Sequence, residues 1–90
     1  MMKISFSNSF KKQYKLQIKR GKKPEKLSEL LEKITKKEKL PPKYNDHALI
    51  GNFKGFRELH IEPDWLLIYR ILDNEIILEK TGTHSDLFGL

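Results

Sequence analysis

The chain has 90 residues, 38% hydrophobic content, no cysteine and a formal net charge of +6. That is one domain with a modest core, so a substrate would meet a groove or open face; a secreted disulfide scaffold, a membrane span and a signal segment find no support, and the cytoplasm is the expected compartment. Residues 1–43 carry 14 Lys and Arg against 4 acids, and residues 44–90 carry 4 against 8, which points to a polyanionic partner for the first half unless its lysines only solvate exposed helices.

Lys3 to Phe6 alternates polar and apolar side chains and predicts a short strand. Ser7, Asn8 and Ser9 are N-cap types, and Phe10, Tyr14 and Ile18 recur every fourth residue. A helix is expected over roughly 8–20, closed by Gly21. Pro24 suits the first turn of a second helix, in which Leu27, Leu30, Leu31 and Ile34 form one apolar face. That helix should reach Lys36, and the short connection makes the pair an antiparallel hairpin. Leu40-Pro41-Pro42 stops it, and Lys36, Lys37, Lys39 and Lys43 make the next loop strongly basic.

Gly51 and Gly55 bracket a turn. Phe56 to Ile61 is expected as a strand, with Phe56, Glu58 and His60 on one face and Arg57, Leu59 and Ile61 on the other. Pro63-Asp64 is a turn. Trp65 to Leu72, apolar on both faces apart from Arg70, reads as a central strand. Asp73-Asn74 is a tight hairpin turn, Glu75 to Thr83 the last strand, and Ser85 onward a short tail. The order β-α-α-β-β-β predicts a single α+β domain over residues 1–90. Its antiparallel sheet would carry the helical hairpin on one face and leave the other free for function.

All three histidines, His47, His60 and His84, fall in the second half, with Asp64, Arg57, Trp65 and Phe88. Metal-free RNA cleavage needs a base for the 2′-OH, positive charge for the phosphorane and an acid for the leaving 5′-oxygen. Imidazole and carboxylate can move those protons, arginine can hold the charge, and aromatic rings can stack on flanking bases. Each residue also has a plain structural reading. His60 can be a satisfied half-buried residue, His47 and Asp64 turn formers, and His84 a cap. Trp65 can be core, Phe88 a pin for the tail, and Arg57 half of an ion pair with Glu58 or Glu62. His60, Asp64 and His84 as metal ligands lack any Cys or close helical pair, so no metal and no cofactor are expected.

The order D-H-x-L-x-G-x-x-K-G-x-R-x-x-H-x-x-P-D-W-x-L-I-Y followed by T-G-T-H-x-x-L-F-G closely resembles the YafQ-type branch of the RelE/ParE toxin superfamily. The resemblance is strong over residues 44–89; residues 1–43 agree only in element order and basic character. It implies a bacterial type II toxin with a compact RelE-like fold that cuts mRNA in the ribosomal A site without metal. Carried over position by position, the family's catalytic set falls on His47, His60, Asp64, His84 and Phe88. Trp65 matches the neighbouring aromatic residue, and Arg57 the motif's arginine, taken as a phosphate contact. His84, at the end of the last strand, is assigned the leading acid–base role, and Asp86 beside it is a candidate to stabilise its imidazolium. The lysine loop is expected to touch RNA. Implied partners are an acidic antitoxin, mRNA on the ribosome with contacts to 16S rRNA, and operator DNA only through the antitoxin complex. Two other functions fit the same fold, a gyrase poison of the ParE type and a catalytically idle RNA-binding or autorepressor subunit. The first leaves the four proton-transfer residues unexplained, since binding a topoisomerase needs no such cluster; the second would tolerate loss of His84 with unchanged RNA affinity.

Overall fold

The computed structural model describes residues 2–89. Ser7 starts the first helix. Its hydroxyl accepts from the Phe10 amide at 2.9 Å and donates to the Glu79 carbonyl at 2.6 Å. One side chain therefore caps α1 (Asn8–Lys19) and ties it to the last strand. The inward stripe of α1 runs Phe10, Tyr14, Gln17, because position i+7 shares the face of i and i+4; Gln17 is fully buried and Ile18 only half-buried. Pro24 opens α2 (Pro24–Thr35), which buries Leu27, Leu30 and Ile34 as its periodicity predicts and ends with Lys36 as its cap.

Five strands form one sheet: β1 (Lys3–Phe6), β2 (His47–Ala48), β3 (Arg57–Glu62), β4 (Trp65–Leu72) and β5 (Glu75–Gly82), in the order β1-β5-β4-β3-β2. The ladders from β2 to β5 are antiparallel, as expected. β1 lies parallel to β5, Lys3 opposite Glu75, so the sheet is mixed at that edge. Asp73 and Asn74 both take left-handed backbone, φ 48° and 62°, as a two-residue hairpin turn requires.

The core lies between the helices and one face of the sheet. Phe10, Leu30, Leu59, Leu67, Ile76 and Leu78 are buried there. Each such side chain contributes roughly 1.5–3 kcal/mol by leaving water. Trp65 belongs to this core. It is 0% exposed, and its indole N–H donates to Thr81 Oγ1 at 2.9 Å, whose hydroxyl donates to the Leu66 carbonyl at 2.7 Å. The expectation that Trp65 stacks on RNA is therefore corrected: a ring with no exposed face cannot receive a base.

The expected tail is a one-turn helix, α3 (His84–Phe88). Thr83 Oγ1 accepts from the Asp86 amide and the Asp86 carboxylate accepts from the Thr83 amide, each at 3.0 Å. This reciprocal capping box satisfies two amides that so short a helix cannot pair internally.

Candidate active site

Strand alternation decides which side chains meet. On β3, Glu58 and His60 project from the face opposite the helices. His47 on β2 pairs with Glu58, Glu58 with Ile68, and Ile68 with Lys80, so these four lie in one row across the sheet. The Glu58 carboxylate is 3.5 Å from His47 Nε2 and 3.6 Å from His60 Nε2, and its side chain is only 10% exposed. A carboxylate this buried favours polar neighbours, and both imidazoles stand within ion-pair range of it, longer than a hydrogen bond. Glu58 was not among the expected site residues, although the alternation that placed it beside His60 was already legible.

Asp64 sits in the turn between β3 and β4 and accepts twice from one residue. The His84 backbone N–H donates to Asp64 Oδ1 at 2.9 Å, and the ring Nδ1 lies 2.6 Å from the same oxygen. The backbone bond first, and the ring bond next, hold the Asp64 carboxyl below the usual carboxylate range. Asp64 is thus ionised near neutrality and can only accept. Nδ1 must then carry the proton, and in the neutral ring Nε2 keeps a free lone pair. With side chains 62% and 41% exposed, the pair adds little to stability; what it fixes is the tautomer and direction of the ring. The His60 ring lies 5.6 Å from that of His84 at 76°, so Asp64, His84, His60, Glu58 and His47 form a continuous chain of titratable groups.

Phe88 closes α3 and is 37% exposed. It meets Phe53 edge to face at 6.2 Å, Phe53 meets Phe56 likewise at 6.5 Å, and the Arg70 guanidinium lies 5.4 Å above Phe56. Phe53, Phe56 and Arg70 are additions to the expected site. A lone arginine in an otherwise apolar strand was the available signal.

Arg57 points the other way. Its Nε donates to Asp46 Oδ1 at 3.2 Å, and the Tyr69 hydroxyl donates to the same oxygen at 2.6 Å. Arg57 therefore lies on the face opposite the histidines, as the strand alternation predicted, and is bound to Asp46. It lines an open groove of 740 Å³ on the helix side with Lys37 and Lys39. By strand register Arg70 and Lys80 lie on the histidine face, with Arg70 Nε 3.5 Å from a Glu79 carboxylate oxygen and Lys80 Nζ donating to Ser9 Oγ at 3.3 Å. Lys36 is engaged by Glu32 at 2.9 Å, and Lys43 lies 5.1 Å over Tyr44, in a hollow that His60 also lines. The basic loop is thus not one patch. Asp86 is likewise not the partner of His84: its carboxylate faces Gln17 of α1 and Arg20, the residue that caps that helix, and Asp64 takes that position. Among the described residues, no group of three or more His, Asp and Glu side chains is arranged to hold a metal ion.

Both sequence and fold have known counterparts. The profile of a family described as the bacterial toxin of type II toxin–antitoxin systems, YafQ, matches residues 2–89. The mRNA interferase toxin YafQ of Escherichia coli strain K12 is 44% identical over 87 residues, covering 96% of this chain and 95% of that protein. A copper-bound mutant toxin from Helicobacter pylori superposes with a TM-score of 0.93 at 42% identity, covering 98% of this chain and 100% of that one. YafQ in the Escherichia coli DinJ–YafQ complex gives 0.88 at 43% identity, covering 99% and 100%.

Proposed function

Since the chain belongs to the YafQ family of bacterial type II toxins, we propose that it is an endoribonuclease that cuts mRNA in the ribosomal A site by attack of the 2′-OH on the adjacent phosphorus, its own side chains moving the protons. The observation that carries this reading is the Asp64–His84 pair, which leaves Nε2 of an oriented imidazole free on an open face beside a second imidazole.

The geometry supports the following steps. One imidazole takes the 2′-OH proton as the oxygen attacks phosphorus and the bond to the 5′-oxygen breaks. The other, protonated, delivers a proton to that leaving oxygen. The products are a 2′,3′-cyclic phosphate and a free 5′-OH. His84, held by Asp64, takes the leading role, and His60, beside it and Glu58, is its complement. His47, on the other side of Glu58, orients the RNA. Arg70 and Lys80 supply the positive charge that the phosphorane's equatorial oxygens need. Phe88, backed by Phe53, holds a base by stacking. An open face suits a substrate presented by another macromolecule, which is why the ribosome, with its 16S rRNA against the basic first half, is the proposed docking partner.

The DinJ–YafQ complex is a toxin–antitoxin complex. An acidic antitoxin is correspondingly proposed to neutralise this chain by covering its basic surface, with operator DNA reached only through that complex. The chemical step is tested with mRNA carrying a single 2′-deoxy nucleotide immediately before the cut. Cleavage should vanish at that bond and persist at other A-site codons. Cleavage of the deoxy substrate would contradict attack by the 2′-OH.

A further inference from the structure

We propose that Asp86 is a positioning residue: by binding α1 it fixes α3, and with it His84, over Asp64. One carboxylate oxygen, Oδ2, receives three donors: Arg20 Nη1 at 2.7 Å, Gln17 Nε2 at 2.9 Å and the Thr83 amide at 3.0 Å. The first two come from a helix 66 and 69 residues earlier in the chain. α3 is five residues long, too short to hold its own geometry, and its capping box is local. His84 is its first residue and Phe88 its last, so any turn of α3 moves the imidazole and the aromatic ring together.

Two further observations fit a built contact. Gln17 is 0% exposed and directs its NH₂ at Asp86, while its Oε1 is buried with no hydrogen-bond partner among the described residues. Reversing the amide would aim that oxygen at a carboxylate, so Asp86 sets the orientation of a buried side chain. At the end of β5, a Cβ on Gly82 would come within 2.9 Å of Asp86 Cβ, and the glycine leaves the space that Asp86 fills. The guanidinium of Arg20, and next the Thr83 amide, hold the Asp86 carboxyl well below the usual carboxylate range, so the anchor stays charged in any ordinary buffer.

The inference rests on the reading of His84 as the proton-transfer group. It is tested in the full chain with Asp86→Ala, Arg20→Ala and the double variant, using two readouts. The first is single-turnover cleavage of ribosome-bound mRNA, with ribosome affinity measured in parallel. The second is the titration of the Asp64 carboxyl by ¹³C NMR. Asp86→Ala should slow cleavage about 10- to 100-fold with affinity unchanged. The Asp64 pKa should rise toward the ordinary carboxylate value as His84 leaves it. The double variant should be no slower than Asp86→Ala, since Arg20 acts through Asp86. A variant with wild-type Trp65 emission and an unmoved Asp64 titration would overturn the proposal, whatever its rate. If Asp86→Ala does not fold, the exposed Arg20→Ala decides: a smaller shift of the same sign supports the anchor, and none overturns it. If the wild type fails to cleave, the ribonuclease reading falls, and the Asp64 titration still decides the positioning role.

Discussion

At the scale of single residues, the proposed chemistry turns on which ring nitrogen is free. Asp64 holds the Nδ1–H of His84, and an asparagine there would present a donor to the wrong nitrogen as readily as an acceptor. Asp64→Asn should therefore slow single-turnover cleavage about 100-fold, within the range for a general acid–base residue, with little loss of stability because the pair is exposed. An unchanged rate would remove Asp64 from the mechanism. The pH dependence has a defined sign. The folded pKa of Asp64 is lowered, so the pair is fully formed above the ordinary carboxylate value and is lost only as pH falls through the lowered one. Much of this site was legible in the sequence: three histidines and an aspartate at family spacing, with Glu58 and His60 on one strand face. Two residues of the motif turn away from the histidines: strand alternation already placed Arg57 there, while the stacking role expected of Trp65 failed because a motif gives residue identity and not direction. Arg57 is one position from Glu58 and thus on the opposite face, and Trp65 begins a strand whose first residue turns into the core.

At the scale of elements, one side chain secures the first helix. Ser7 both caps α1 and reaches Glu79, so Ser7→Ala should cost about 1–2 kcal/mol in denaturant unfolding, the upper part of the range for a cap. A loss below about 0.3 kcal/mol would mean that neither bond matters. The long elements could be read from sequence because they repeat: α2 buries every third or fourth residue, and β4 is apolar throughout apart from Arg70. The short ones have no period to detect. β2 has two residues and α3 five, yet α3 left one signal, the Thr83-x-x-Asp86 spacing of a capping box. The parallel pairing of β1 with β5 joins the two ends of the chain, and no local pattern encodes it.

At the scale of the whole molecule, the fold separates the two jobs that the proposed function needs. The helix-bearing first half carries most of the positive charge, and the sheet of the second half carries the histidines. Salt should therefore weaken ribosome binding steeply. Neutralising Lys37, Lys39 and Lys43 should flatten the plot of log affinity against log salt by roughly 0.7–0.9 for each phosphate these lysines neutralise. Lys36→Gln should change it little, because Glu32 already engages that ammonium. A slope unmoved by the triple change would exclude the loop as an RNA contact.

Every step of the proposed cleavage depends on His84 acting, with Asp64, as the proton-transfer group of a ribosome-dependent ribonuclease. The most direct test maps mRNA 5′ ends by primer extension in a translating extract, comparing wild type with a folded His84→Ala and running naked RNA alongside. The expected result is cuts in frame with codons, only during translation and only for the wild type. Equal cutting by both proteins, or no cutting by either, would contradict it.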